Sequence, residues 1–167
     1  GVKETVNGLG SVDEALGNEA LTFEEVKTLA AGVLLVCQLQ SRFDIHHLFT
    51  KEDALTTFFA TMVRAERFGE GSALGRANTI VYNYLHEAGA FERHSSGQYS
   101  LDCAKMETAL ASLTALVLET QATGNKDFAA QFEDKYSKRS EDYKADLMSL
   151  GLEKIPVDIR FDFKTRY

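Results

Sequence analysis

Residues 61–91, TMVRAERFGEGSALGRANTIVYNYLHEAGAF, constrain the fold of this chain more than any other stretch. They read as two amphipathic helices that meet at a sharp corner. Leu55, Phe58, Phe59, Met62 and Val63 make one apolar stripe along the first helix. That helix breaks at Gly69-Glu70-Gly71-Ser72, where two glycines disfavour helical backbone and the Ser72 hydroxyl is suited to cap the next helix. The second helix carries Leu74, Ala77, Val81, Tyr84, Leu85 and Ala88 at helical spacing, and Gly89 stands where a left-handed residue ends it. Arg64 and Arg67 lie three apart, just before the break. Two readings of them stand. With the amide groups of the second helix's first turn they form an anion site, or they pair with Glu66, Glu70 or solvent and serve only the corner.

Composition narrows the classes of function. The 167 residues are 44% hydrophobic and 26% charged with one proline, which suits a single globular domain with a sizeable core. The net charge is −7 and the 18 lysines and arginines are scattered, which argues against nucleic acid or an anionic membrane as the main partner. Cys37 and Cys103 fall in apolar helical patterns and read as buried thiols, not as a disulfide framework. The longest apolar run, residues 29–39, is too short to span a bilayer and reads as a buried helix. No secretory signal is visible, so a cytoplasmic or organellar setting is favoured and the compartment stays open.

In chain order the pattern is nearly all helical. Residues 1–10 have three glycines and no period, and they read as an arm that, with a short helix capped by Ser11-Val-Asp-Glu14, makes an N-terminal unit over residues 1–20. Thr22-Phe-Glu-Glu25 repeats the capping-box form and predicts the start of a longer helix, with Val26, Leu29, Ala30, Val33 and Val36 inward. Thr50-Lys-Glu-Asp53 opens the next helix, which is expected to run to Phe68. After Gly89, residues 90–93 and 98–101 flank a polar turn and predict a small hairpin lying on the helices through Phe91 and Tyr99. Asp102 caps a long helix with Met106, Leu110, Leu113 and Val117 on one face; Phe128, Phe132 and Tyr136 mark another; Tyr143, Leu147 and Leu150 mark the last. Pro156 begins an extended tail over residues 157–163. The expected fold is mostly α: a bundle-like domain of about six to seven helices over residues 21–167, with one β-hairpin.

The corner pattern RxxRFGxxSAxGxAN, followed by NYLxEAGAF, resembles the C-terminal part of the dipeptidyl-peptidase III family of zinc peptidases, above all its bacterial and plant branch, some members of which are joined to Nudix domains. The likeness continues through GQYSLDCAKMETAL and LETQATGNKDFAAQF to IPVDIRF, and so covers roughly residues 21–161. The resemblance implies a zinc ion held by two histidines of HExxxH and a glutamate of a later EExxxE/D helix, whose spacing turns the ligands toward one point. This chain has no HExxxH, and His46 and His47 are adjacent and point apart. Glu24-Glu25-Val-Lys-Thr-Leu29 matches the glutamate helix, with Glu25 in the metal-binding place but Leu29 where a carboxylate belongs. In the family's AHGxAN pattern, whose histidine is thought to stabilise the transition state, this chain has Leu74.

Other constellations carry less. Cys37 lacks the context of a nucleophile pair. His86 reads as a helix-surface histidine, with a role as site acid or base as the alternative. Ser95, Ser96 and Gly97 are turn residues, and Glu24 and Glu25 suit a helix's first turn without any metal. The reading is a non-peptidase derivative of the family's helical lobe, acting as a small-ligand or peptide-binding module or as an assembly module. The alternative is the C-terminal part of a zinc-dependent hydrolase, and a third is a metal-independent enzyme in the remnant cleft. No cofactor is expected, zinc entering only under that alternative and through Glu25. Arg64, Arg67, Ser72, Leu74, Asn78, Tyr82 and His86 are the candidate ligand-binding residues, and the partner is a small molecule, a peptide or another protein.

Overall fold

The computed structural model describes residues 1–43, 47–66 and 69–151. Arg67, Phe68, His46 and the expected tail after Pro156 lie outside these. Among the described residues the elements are α1 (Val12–Leu16), a 3-10 turn (Gly17–Glu19), α2 (Ala20–Arg42), α3 (Lys51–Ala65), α4 (Ala73–Glu87), β1 (Phe91–Arg93), β2 (Tyr99–Leu101), α5 (Cys103–Thr123), α6 (Lys126–Tyr136) and α7 (Glu141–Ser149). The fold is mostly α with one antiparallel hairpin, in which Phe91 pairs with Leu101 and Arg93 with Tyr99.

Local chemistry fixes most boundaries. Ser11 and Thr50 each accept from the backbone N–H three residues on, at Glu14 and Asp53, and those two side chains reach back to complete both capping boxes. Asp102, Asn125 and Ser140 cap α5, α6 and α7 in the same way, and α5 stops at Gly124 in the left-handed conformation. One expected cap is displaced. The 3-10 turn feeds straight into α2, so Thr22 sits inside that helix, fully buried, and its hydroxyl accepts from Arg76 Nε and Nη2 at 3.3 and 3.2 Å.

The long helices α2 and α5 pack together, with α4 on α2's other flank. Met106, Leu110, Leu113 and Val117 from α5 meet Phe23, Val26, Ala30 and Cys37 from α2 in one core. The hairpin closes one end, with Phe91, Tyr99 and Tyr82 around the ring of Phe59 at 4.9, 5.3 and 6.2 Å. The N-terminal arm docks on the end of α5: Val6 N donates to the Ala122 carbonyl (2.8 Å) and the Asn7 amide to that of Thr123 (2.7 Å). Cys103 is only half-buried, whereas Cys37 is fully enclosed.

The run 29–39 departs from the sequence reading. Ala30, Val33 and Cys37 are buried, yet Leu35, Val36 and Leu39 are 55%, 42% and 42% exposed. Val36, expected to point inward, points out. The run is apolar on all sides, so spacing alone does not tell which side meets the core.

Candidate functional site

The corner between α3 and α4 is built on backbone. Gly69 takes a φ of +78°, and its carbonyl accepts from the Ser72 amide (3.3 Å) and the Ser72 hydroxyl (3.1 Å). Ser72 caps α4 by accepting from Gly75 N at 3.0 Å. Gly75 presses its Cα on that loop so closely that an added Cβ would lie 1.8 Å from the Gly69 carbonyl oxygen. The glycines of RFGxxSAxG are thus two halves of one close contact.

Beneath the corner lies a buried carboxylate. Glu66, at the end of α3, is 3% exposed. It accepts from the Thr79 hydroxyl (3.2 Å), the Tyr143 hydroxyl (3.2 Å) and the Arg139 guanidinium, whose Nη2 also donates to the Glu66 backbone carbonyl at 3.1 Å. Arg139 Nε lies 3.5 Å from Glu70. Burial pushes the Glu66 carboxyl up, and Arg139 first among its neighbours pulls it back. Burial together with the Glu66 charge also holds the Tyr143 hydroxyl protonated far above its usual range. The Tyr143 ring stacks on Tyr82 at 3.7 Å between centroids and 7° between planes. The Tyr82 hydroxyl meets that of Tyr99 at 3.2 Å, and Tyr99 donates to Asp146, which Arg93 grips with two hydrogen bonds of 2.6 and 2.7 Å. Two ion pairs are thereby joined through a stacked tyrosine pair.

The sequence-derived residues divide within this frame. Ser72, Leu74 and Asn78 share the first turns of α4, and Asn78, fully buried, donates to the Leu74 carbonyl at 2.8 Å. Tyr82 is further along, inside the core. His86 is exposed at the far end, 5.3 Å from the Phe91 ring. From Ser72 to His86 these residues run along α4 over about 21 Å, at 1.5 Å per residue, and do not surround one point. Arg64 is exposed at the end of α3, and the guanidinium that meets Glu66 and Glu70 is Arg139's. No local signal marks Arg139 in the sequence, since it precedes the Ser140 cap in a polar loop.

On α2, Glu24 accepts from Lys27 Nζ (2.5 Å) and Gln121 Nε2 (3.0 Å), which hold its carboxyl below the usual range. Glu25 is half-buried and has no hydrogen bond or ion pair among the described residues. At helical spacing it lies on the outward stripe of Leu21, Thr28, Gly32, Leu35 and Leu39. Among the described residues no three His, Cys, Asp or Glu side chains gather where they would hold a metal ion, so Glu25 has no companions for a zinc site there.

No family model matches the chain. Two solved structures do: it superposes on dipeptidyl-peptidase III from Caldithrix abyssi with a TM-score of 0.81, and on that from Corallococcus sp. strain EGB with 0.83, both at 26% identity. The chain is similar to one part of dipeptidyl-peptidase III. The superpositions cover 94% and 95% of this chain but only 30% and 29% of the solved ones. Nudix hydrolase 3 of Arabidopsis thaliana is 37% identical over 108 residues, 65% of this chain and 14% of that protein. The dipeptidyl-peptidase III-like fold thus extends over nearly the whole chain, and each relative holds far more polypeptide than the part matched.

Proposed function

We propose that this chain is a non-peptidase derivative of the dipeptidyl-peptidase III-like helical domain that works as an assembly module, docking through the outward face of α2. One observation carries this reading: α2 has no charged residue between Lys27 and Arg42, yet Leu35, Val36 and Leu39 on it, and Phe43 just after it, are exposed. A helix apolar on all sides is a buried helix, and a contiguous apolar patch on a molecule of net charge −7 is where a protein surface fits. Beside the stripe, Val33, Val36, Phe49, Ala54 and Phe58 line a groove of about 450 Å³ between α2 and α3. Arg64 is not among the residues lining the depressions at Tyr84, which weighs against a ligand cleft at the corner. Leu29 and Leu74, standing where the resemblance implies a carboxylate and a histidine, weigh against peptidase chemistry.

Carbene footprinting tests the docking. Leu35, Val36, Leu39 and Phe43 should be labelled in dilute purified protein and protected in lysate of the source cells. Equal labelling in both would reject the reading.

A second reading is favoured by Glu25, which shares that face with its carboxylate unengaged: a surface covering α2 also covers Glu25, so the chain would be one part of a larger zinc-dependent hydrolase. Its mark is zinc retained through dialysis by the assembled protein and lost on Glu25→Gln.

A further inference from the structure

We propose that the groove between α4 and α6 binds a methylated ammonium group, in a place that the chain's own Lys135 now fills. The groove measures about 580 Å³, within the range of small-molecule sites. None of its lining residues is on α2 or α3, so it does not rest on the docking reading. Its wall is aromatic. Phe128, Phe132 and Tyr136 follow one another at four-residue spacing along α6, with ring centroids 5.8 and 4.7 Å apart. Tyr84 of α4 closes the row, 5.5 Å from Tyr136. The faces of such rings attract cations through their quadrupoles.

One carboxylate overlooks this wall. Glu87, the last residue of α4, accepts on Oε1 from the Tyr136 hydroxyl at 3.0 Å and from Lys135 Nζ at 2.9 Å. The same ammonium lies 4.4 Å from the centroid of the Tyr136 ring. A cation held at once by a carboxylate and a ring face marks the spot where the groove favours positive charge. Two helices, α4 and α6, end here at Glu87 and Tyr136, and the negative ends of their dipoles add to the preference. The Lys135 side chain is 57% exposed, and a pair so open to water holds it weakly, so it swings out at little cost. A primary ammonium or a guanidinium needs several acceptors, whereas Oε1 is already shared with Tyr136. A methylated ammonium makes no such demand and rests its methyl groups on the rings. The net charge of −7 draws cations to the molecule.

A chemical-shift titration of the full chain with choline tests this, with sodium at matched ionic strength and dimethylbutanol, the uncharged isostere of choline, as controls. Saturable shifts of the Tyr84 and Tyr136 rings are expected with choline alone. Glu87→Gln should weaken choline binding roughly fivefold or more. Lys135→Met removes the resident cation and keeps the apolar stem, so it should tighten binding about threefold, a gain that a merely structural ion pair does not give. Both side chains are more than half exposed, so neither change endangers the fold. Phe128→Leu, which loses a ring and keeps an apolar side chain, should weaken binding as well. Equal shifts from choline and dimethylbutanol reduce the groove to an apolar depression and overturn the proposal. Shifts matched by sodium, or a Lys135→Met variant that binds no more tightly than the parent, overturn it too. A peptide bearing one trimethyl-lysine separates the sources: tighter binding than choline assigns the group to a protein tail, and no gain assigns it to a free small molecule.

Discussion

Gly75 shows how one missing side chain fixes the direction of two helices. Its Cα rests on the Gly69 carbonyl, and Gly69 holds the left-handed φ that turns the chain there. Gly75→Ala should therefore cost about 3 kcal/mol, the upper end for overpacking, because the atom it meets is backbone and cannot swing aside. Gly71 is two residues past Gly69 in the same loop, with open space around it and no left-handed φ. Gly71→Ala should be neutral or slightly stabilising, by reducing the freedom of the unfolded chain. Urea midpoints of the two variants decide this, and similar losses in both would show that Gly75 has no special contact. The glycines were legible in the sequence, but which one was a turn and which a contact was not. A glycine's letter does not say what lies across from it.

At the scale of elements, α7 is held at two points. Tyr143 reaches Glu66 under the corner, and Asp146 is gripped by Arg93 of the hairpin. Arg93 lowers the Asp146 carboxyl below its ordinary value, with burial opposing, so the unfolded chain takes up a proton before the folded one. The stability this pair supplies is full above the ordinary aspartate range and is lost as pH falls through the lowered value, below about pH 4. Glu66 has the opposite sign. Its raised carboxyl favours the folded state most below the ordinary glutamate range, and that share is lost as pH rises through the raised value. Asp146→Asn should cost about 2 kcal/mol at pH 7 through loss of the charged hydrogen bonds. The gap to the parent protein should close below about pH 4, where Asp146 itself becomes neutral. Denaturation curves at several pH values check it, and a gap of constant size would show that Asp146 is not the acid-sensitive member.

On the scale of the whole molecule one core joins α2, α4 and α5, while the arm and hairpin close its ends. Leu110, fully enclosed in the middle of α5, is far from both Glu25 and the corner in sequence. Leu110→Ala should destabilise by about 2–5 kcal/mol, and circular dichroism and tyrosine fluorescence should lose signal together. Separate transitions for the two probes would mean that the hairpin end, which holds Tyr82 and Tyr99, unfolds apart from the helical body. The same core explains why the outward side of α2 is the part left uncovered. Its other flanks are already taken by α4 and α5.

What the sequence determined by itself was local: the helical class, the capping box at Ser11, the helix start at Thr50, the break at Gly69, the hairpin, and the face of α5 that turns inward. Each depends on residues within a few positions of one another, where hydrogen-bond geometry and the 3.6-residue period act directly. Only the tertiary structure decided which partner met which. Arg139 took the corner carboxylate that Arg64 stood nearer in sequence, because the loop before α7 returns across 73 residues to Glu66. It also decided which side of α2 faced out, since an apolar run without charges has no preferred inside until its neighbours choose one.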